Sequence, residues 1–467
     1  MSDVDQRGTS SDQRRTSSSG ARDRLGANYR RLWVASTTSN LGDGMDSAAL
    51  PLLAEALTRD PMLFAGVAIA GRLPWLLFSL YAGVIADRVD RRRLMYGCNA
   101  ARFALMAAFG AAVVFDVATI WLLYAVSIGL GTFEVLFDNA ASALMPAVVR
   151  SDQLEKANGR LFAGEIVTNQ FVGPALGAWL FGIAAALPIL LDAGTFAISA
   201  ALIFAMTGTY SRDHRRSRKL SAAAEALEPD AGDLAPTEPS AAVPAATPTV
   251  PGRRGAVAEI GEGLAWLRRH RLLWTFALLT AAMNGATMMG YAILGLFAVG
   301  EESVLQLGQA SFGLLFVAGA TGSLLGSFGA ERIAGVLGRG VALRISLVAI
   351  GVVPLAIGLT GDVAVYLVAQ ALYGFAAVMW NVITISLRQR LVPDELLGRV
   401  NSVFRFLGWG AMPVGALVGG ATAAAFGLRA PWLTAAGVMT VAVLLALPVL
   451  TPAAVAAADD EARSDER

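Results

Sequence analysis

The chain has 467 residues, 55% of them hydrophobic and 16% charged, against roughly a quarter charged in soluble domains. The expected solvent is therefore lipid, and a net charge of +1 is less informative than where the charges sit. A single cysteine, Cys98, excludes an intrachain disulfide, and the two histidines, His214 and His270, lie in polar stretches, which excludes a histidine metal centre or a Ser-His-Asp triad inside the membrane. The two lysines, Lys156 and Lys219, do not follow glycine, so the Gly-Lys-Ser/Thr core of a nucleotide phosphate loop is absent. These features predict a protein that is not an enzyme, with no cofactor, no metal site and no nucleic-acid partner.

Residues 1–31 are polar and rich in Ser and Arg, read as a disordered cytoplasmic tail without the apolar core of a signal peptide. A spanning helix needs about 20 mostly apolar residues. Twelve stretches meet that need: 32–57, 62–86, 94–115, 118–145, 161–183, 187–206, 272–299, 310–330, 341–359, 363–387, 400–426 and 432–450. They predict an all-α membrane protein with two six-helix bundles, 32–209 and 272–450. Between them, 210–255 starts basic and turns to Ala, Pro and Glu, the composition of a cytoplasmic linker. In 256–271, Ile260, Leu264 and Leu267 recur at helical spacing before a cationic end. This reads either as an interfacial amphipathic helix or as an extension of span seven. Residues 451–467 form a second cytoplasmic tail.

On this layout, 31 of the 37 arginines and lysines fall in the tails and in the loops on the same side as the tails. The positive-inside rule then places both termini in the cytoplasm. The clearest case is the stretch Leu73 to Met95, apolar until Asp87 and then Asp87-Arg88-Val89-Asp90-Arg91-Arg92-Arg93.

The two halves echo one another at a shift of about 243 residues: Gly42 meets Gly285, Gly83 meets Gly326, Gly131 meets Gly374 and Asn158 meets Asn401. Six spans per half around a long cytoplasmic loop is the organisation of a two-bundle secondary transporter, which binds its substrate at the repeat interface.

Gly83-Val-Ile-Ala-Asp87-Arg88-Val-Asp90-Arg91-Arg92 resembles the loop 2–3 signature of the major facilitator superfamily, with Asp90 in place of the usual second glycine. With "SNLGDGMDSAALPLL" (39–53), "FEVLFDNAASALMPAVV" (133–149) and "LLDAGTFAISAAL" (190–202), it resembles the branch of the enterobactin exporter and macrolide efflux proteins. The resemblance implies the twelve-helix major facilitator fold. It also implies a latch on the cytoplasmic side, with Asp87 near Asn401 and Ser402 at the start of span eleven. Arg88, Arg91, Arg92 and Arg93 are then gate partners, or else topology determinants that contact lipid phosphate. Gly173, Pro174 and Gly177 in span five resemble the family's antiporter motif; close helix packing with a kink is the other reading.

An ionisable group at mid-bilayer costs about 2.5–3.5 kcal/mol on insertion scales and points to function. Asp43 and Asp46 are three apart on span one, and Glu134 and Asp138 four apart on span four, so each pair shares a helix face. Glu165 and Asp192 lie in spans five and six. At the repeat shift, the four paired acids fall on Ala286, Met289, Ala377 and Asn381, so the carboxylates belong to the first bundle. By family analogy, spans one, four, seven and ten line the cavity, with Phe133, Phe137, Trp380 and Phe404 as an aromatic wall or as packing. Two close carboxyls away from water hold a proton more readily than one in water. Asp43, Asp46, Glu134 and Asp138 are the candidates for proton or substrate coupling, and Arg102 is the buried partner of Glu134 or Asp138.

The leading expectation is a monomeric proton-antiport exporter of an amphipathic small molecule (drug, macrolide-like metabolite or siderophore). It would sit in a bacterial cell membrane among lipid, because Arg-over-Lys and Ala-rich usage suggests a high-GC bacterium. An uptake symporter and a non-transporting receptor or scaffold of the same fold are the alternatives.

Overall fold

The computed structural model describes residues 25–150, 153–207 and 256–464. The linker 210–255, most of the N-terminal tail and the end of the C-terminal tail lie outside them. In the first half the helices are α1 (Ala27–Leu57), α2 (Pro61–Arg88), α3 (Arg91–Val114), α4 (Ile120–Val148), α5 (Leu154–Glu165), a π-helical turn (Ile166–Val172), α6 (Gly173–Ile183) and α7 (Ala186–Phe204). After the linker follow α8 (Ala256–Arg269), α9 (Arg271–Tyr291), the short α10 (Leu294–Ala298) and α11 (Leu314–Leu337). The chain ends with α12 (Arg339–Leu359), α13 (Val363–Leu391), α14 (Asp394–Phe426), α15 (Ala430–Ala446) and α16 (Pro452–Ser464).

Ten helical segments among the described residues are long and apolar enough to cross a membrane. Of the other two expected spans, α1 has 31 residues and carries two aspartates, and α15 is apolar but has 17 residues. Lipid offers no hydrogen bonds, so backbone groups must be satisfied within each helix and at its ends. Several ends are capped by side chains at the turns. Asp60 accepts from Met62 N at 2.7 Å, Asp90 from Arg93 N at 3.0 Å, Thr119 from Leu122 N at 3.2 Å and Asp362 from Val365 N at 3.0 Å. The outer surface exposes Phe103, Trp121, Phe328 and Phe426, a liability in water and a lipid face in a bilayer.

The internal repeat reappears as a repeated set of helix pairs. In the first half α1 packs on α6 and α7, α2 on α4, and α3 on α4 and α7; in the second half α9 packs on α14 and α15, α11 on α13, and α12 on α13 and α15. Of the glycines that aligned in sequence, Gly131 and Gly374 sit at equivalent crossings. A methyl group added at Gly131 would stand 2.6 Å from the Gly71 carbonyl, and one at Gly374 would stand 2.1 Å from the Gly319 carbonyl.

Four expected boundaries shift for physical reasons. Helix α1 starts at Ala27, ahead of residue 32, because Asn28 and Arg31 donate to the carbonyls of Thr207 and Ala205 at 2.9 and 2.8 Å. Segment 256–271 divides at His270, so α8 is not an extension of span seven. Its Leu267 is fully buried against the second half, with Glu262 bonded to Arg399 at 3.0 Å, so its apolar face packs on protein. Within 451–467, α16 is a docked helix whose Val455 is buried against α12 and α13. Span five is interrupted by the π turn, which accommodates Pro174 one residue later: Gly173 N donates to the Thr168 carbonyl, five residues back.

Gly173 and Gly177 pack α6 directly on α1. A methyl at 173 would lie 2.6 Å from Gly44 Cα, and one at 177 would lie 2.3 Å from the Met45 carbonyl oxygen. Gly415 and Gly419 repeat this on α9, at 2.1 Å from the Gly285 carbonyl and 2.2 Å from the Met289 carbonyl. Overpacking at such contacts typically costs about 1–3 kcal/mol. Gly177→Val and Gly419→Val are therefore expected to lower the thermal unfolding midpoint in detergent, whereas Gly97→Ala, with nothing within 4 Å of the added methyl, leaves it in place or raises it.

Candidate functional site

The two halves meet along α2 and α14 and where α11 meets the π turn and α6. At one end a single apolar cluster joins both halves, with Leu52, Phe64 and Ala65 packed against Phe297, Phe312 and Trp432. The backbone comes close there too: methyls at Gly295 and Gly313 would lie 2.7 Å from the Phe64 ring and 2.4 Å from the Pro174 carbonyl. Glu55 and Arg59 pair at 2.8 Å beside Gly300, whose φ of +95° turns the following loop back over this seal. Toward the arginine-rich end the buried side chains form one large cluster per half, with a small further cluster in which Trp75, Ala82 and Val135 of the first half meet Trp409 of the second.

Between the halves lies a cavity of about 1090 Å³. Its lining runs from Leu294 and Phe312 near the seal to Met145, Pro146 and Asn158 toward the arginine-rich end. Among the described residues, five acids line it (Asp43, Asp46, Glu134, Asp138 and Glu165) against two arginines, Arg72 and Arg102. The second half contributes Met288, Tyr291, Leu294, Phe312, Phe316 and Trp409, none of them charged. Trp75 of α2 and Trp409 of α14 meet across the interface with ring centroids 4.5 Å apart. The cavity thus has an acidic wall and an aromatic wall, one from each half.

All four acids expected to share this cavity do so, but Arg102 pairs differently. Its Nη2 donates to Asp43 Oδ1 at 2.9 Å, and its guanidinium lies 4.3 Å from the centroid of the Phe196 ring, so its hydrogen-bonded acid is on α1 and not Glu134 or Asp138 of α4. Asp46 is buried; Glu134 is half-buried and Asp138 exposed to the cavity. Of the expected aromatic wall, Phe137 lines the cavity, while Trp380 packs edge-on to Phe276 and Phe404 lies under Arg388, both within the second half. Span ten supplies no lining residue; α2 and α14 do. Sequence reasoning missed Trp75, Tyr291 and Trp409, for which helical periodicity carries no distinguishing signal.

In the loop 2–3 signature, the side chains of Gly83, Asp87 and Arg88 lie outside the described residues, and with them the expected latch. Asp90, in place of the usual glycine, caps α3. Arg91 is buried and donates to the Ala143 carbonyl of α4 at 2.9 Å, and Arg92 donates to the Ile203 and Phe204 carbonyls at the end of α7. These contacts tie helix ends together within the first half.

A cavity lined by acids and aromatic side chains between two helical repeats, closed at one end, defines a multi-pass membrane transporter of small molecules. The Major Facilitator Superfamily model matches residues 32–413, and the chain belongs to that family. Macrolide efflux protein A of Streptococcus pyogenes is 21% identical over 428 residues, 90% of this chain and 95% of that protein. The multidrug efflux pump Tap of Mycolicibacterium fortuitum is 24% identical over 422 residues, 86% and 90% of the two chains. Among solved structures, the nucleoside transporter NupG superposes with a TM-score of 0.64 at 12% identity, covering 90% of this chain and 98% of that one. A bacterial homologue of the iron transporter ferroportin in its inward-facing state superposes with a TM-score of 0.60 at 16% identity, covering 89% and 98%.

The Asp43–Arg102 pair predicts a mutational cycle. Removing one partner of a buried pair leaves an uncompensated charge and costs on the order of 3 kcal/mol. Arg102→Gln is expected to lower unfolding stability by about that amount, and adding Asp43→Asn to it to recover most of the loss. Additive losses would show that the pair contributes no coupling.

Proposed function

We propose that this protein exports amphipathic small molecules by proton antiport, with a preference for cationic ones such as a drug or an amine-bearing, macrolide-like metabolite. The observation that carries the reading is the split lining of the cavity: five acids on one wall, uncharged aromatic and apolar side chains on the other. An amphipathic cation finds an ion partner and a π face in one site. An anionic siderophore would meet five carboxyls against two arginines, so it is the weaker candidate within the same class. Efflux names among the relatives support export as the direction.

Coupling follows from competition for charge. Carboxyls facing the acidic side of a membrane take up protons. When the cavity turns to the cytoplasm, a cation displaces them, and the loaded site reopens outward. The four candidates are Asp43, Asp46, Glu134 and Asp138; of these, Asp43 is already engaged by Arg102. The arginine bias assigns the open, arginine-rich end to the cytoplasm and the sealed end to the outside. Asp87 and Arg88 remain the proposed latch for closing the cytoplasmic end in the opposite state. Gly173, Pro174 and Gly177 act first as a packing seam, next to the π turn that lets α5 and α6 change angle.

Cells lacking their own pumps and expressing this protein are expected to expel a fluorescent lipophilic cation, with efflux abolished by an uncoupler. Asp46→Asn is expected to stop it, and Glu134→Gln/Asp138→Asn to raise the KM for the cation more than it lowers the maximal rate. Uncoupler-insensitive efflux would sink the antiport reading, and accumulation in place of efflux would favour uptake. For orientation, a cysteine placed at Asp116 is expected to react with an impermeant maleimide added outside intact cells, and one placed at Arg339 only after permeabilisation.

A further inference from the structure

We infer that Asp46 and Asp192 form a proton-binding site, two carboxyls sharing one proton, that reaches from the cavity at Asp46 to Asp192 behind its wall. The inference rests on the antiport reading and names a residue, Asp192, that the cavity lining does not contain.

Asp192 stands on α7 and is fully buried; Asp46 stands on α1, is 7% exposed and lines the cavity. Asp46 is one turn after Gly42, on the face of α1 that packs against Asp192. What lets Asp192 approach that face is Gly42. A methyl there would stand 1.7 Å from Asp192 Oδ1 and 2.3 Å from Thr195 Oγ1, so Asp192 fills the space a side chain at position 42 would take. Thr195 Oγ1 stands 2.8 Å from the Asp192 backbone carbonyl and 2.9 Å from Asp192 Oδ1, so its one proton is shared between that carbonyl and one oxygen of the carboxyl.

The remaining oxygens decide the chemistry. Asp192 Oδ2 and Asp46 Oδ1 are both buried and have no donor among the neighbouring groups. Ionised carboxylates only accept hydrogen bonds, so two of them face to face leave both oxygens unserved and both charges opposed. One proton between them supplies the missing donor and removes one of the two charges.

The surrounding charges are committed elsewhere. On α1, Asp43 is held by Arg102 of α3 at 2.9 Å, and Arg102 also lies over Phe196 of α7. Also on α3, Cys98 is buried near Arg102, and Asn99 donates to Ser199 of α7 at 2.7 Å, closing the seam beside Asp192. Glu134 and Asp138 of α4 face the cavity. Of the other elements packed on α1, α6, the π turn and α10 carry no acid or base, while α5 brings Glu165 and α2 brings Arg72 to the cavity. Asp46 is thus the member of the pair that reaches the cavity, and Asp192 extends the site inward. Substrate and proton would share the cavity at Asp46 without sharing the whole site.

Infrared difference spectroscopy on the purified protein tests this without transport. As the buffer is stepped from acid to alkaline, the wild type should lose the C=O stretch of a protonated carboxylic acid. That band should be missing in Asp46→Asn and in Asp192→Asn, present in Glu134→Gln, and shifted in frequency in Thr195→Val, which removes the donor to Asp192 and keeps the shape. Should Asp192→Asn not fold, Asp46→Asn and Thr195→Val carry the test. No titrating band in the wild type, or the same band in folded Asp192→Asn, overturns the proposal. Reconstituted vesicles separate the site from the function. If the band is assigned to the pair but wild-type export ignores an imposed pH gradient, antiport falls and the proton site stands. If gradient-driven export and the band both survive in Asp192→Asn, the site falls and antiport stands.

Discussion

The structure depends on how closely α1 can approach its neighbours. That helix carries Asp43 and Asp46 into the membrane, where an exposed carboxyl would face lipid. It avoids this by pressing one side onto α6 and α7, with Gly42, Gly44, Gly173 and Gly177 at the contacts. Without side chains there, backbone meets backbone and the acids turn either to the cavity or to polar partners. A larger residue at any of these positions would move α1 outward and with it both aspartates. The second half uses the same device at Gly285, Gly415 and Gly419, but carries no acids on the matching helix. Close packing is therefore common to both repeats, while the charge belongs to one.

That asymmetry shapes the cavity. An acidic wall from the first half faces an aromatic wall from the second, and Trp75 and Trp409 join them at the α2–α14 contact. The sealed end is built from apolar side chains of both halves, so opening it would expose Phe64, Phe297 and Phe312 together. The arginines of the α2–α3 loop work differently. Arg91 and Arg92 bond to helix-end carbonyls of α4 and α7, where the exposed C=O groups of a helix terminus attract cations. They tie α3 to α4 and α7 within the first half.

Much of the fold was legible in the sequence. Runs of about 20 apolar residues admit only a helix in lipid, since any other backbone would leave its polar groups unserved. The repeat shift paired Gly131 with Gly374, and the two occupy equivalent crossings. Spacing by three or four residues put the acids of spans one and four on one helix face each, and the resemblance to the family put those faces on the cavity. The sequence was less informative where a partner lies far along the chain. Arg102 was matched to Glu134 or Asp138 and pairs with Asp43. Trp380 was weighed as cavity wall and lies in the core. The polar stretches 28–31 and 452–464 read as tails, yet they hold defined helical positions through carbonyls and apolar surfaces that only the folded chain brings near.

By itself the sequence determined the solvent, the helical class, the two-fold repeat and the restriction of membrane carboxylates to the first half. Each of these follows from local quantities: apolar run length, residue spacing and charge count. Tertiary structure alone decided that Asp192 lies against Asp46 in the space left by Gly42, that Arg102 is engaged by Asp43, and that one end of the cavity is closed. These are relations between helices separated by tens to hundreds of residues. Helical periodicity sets the direction of a side chain about its own axis but carries no information on which neighbour it meets.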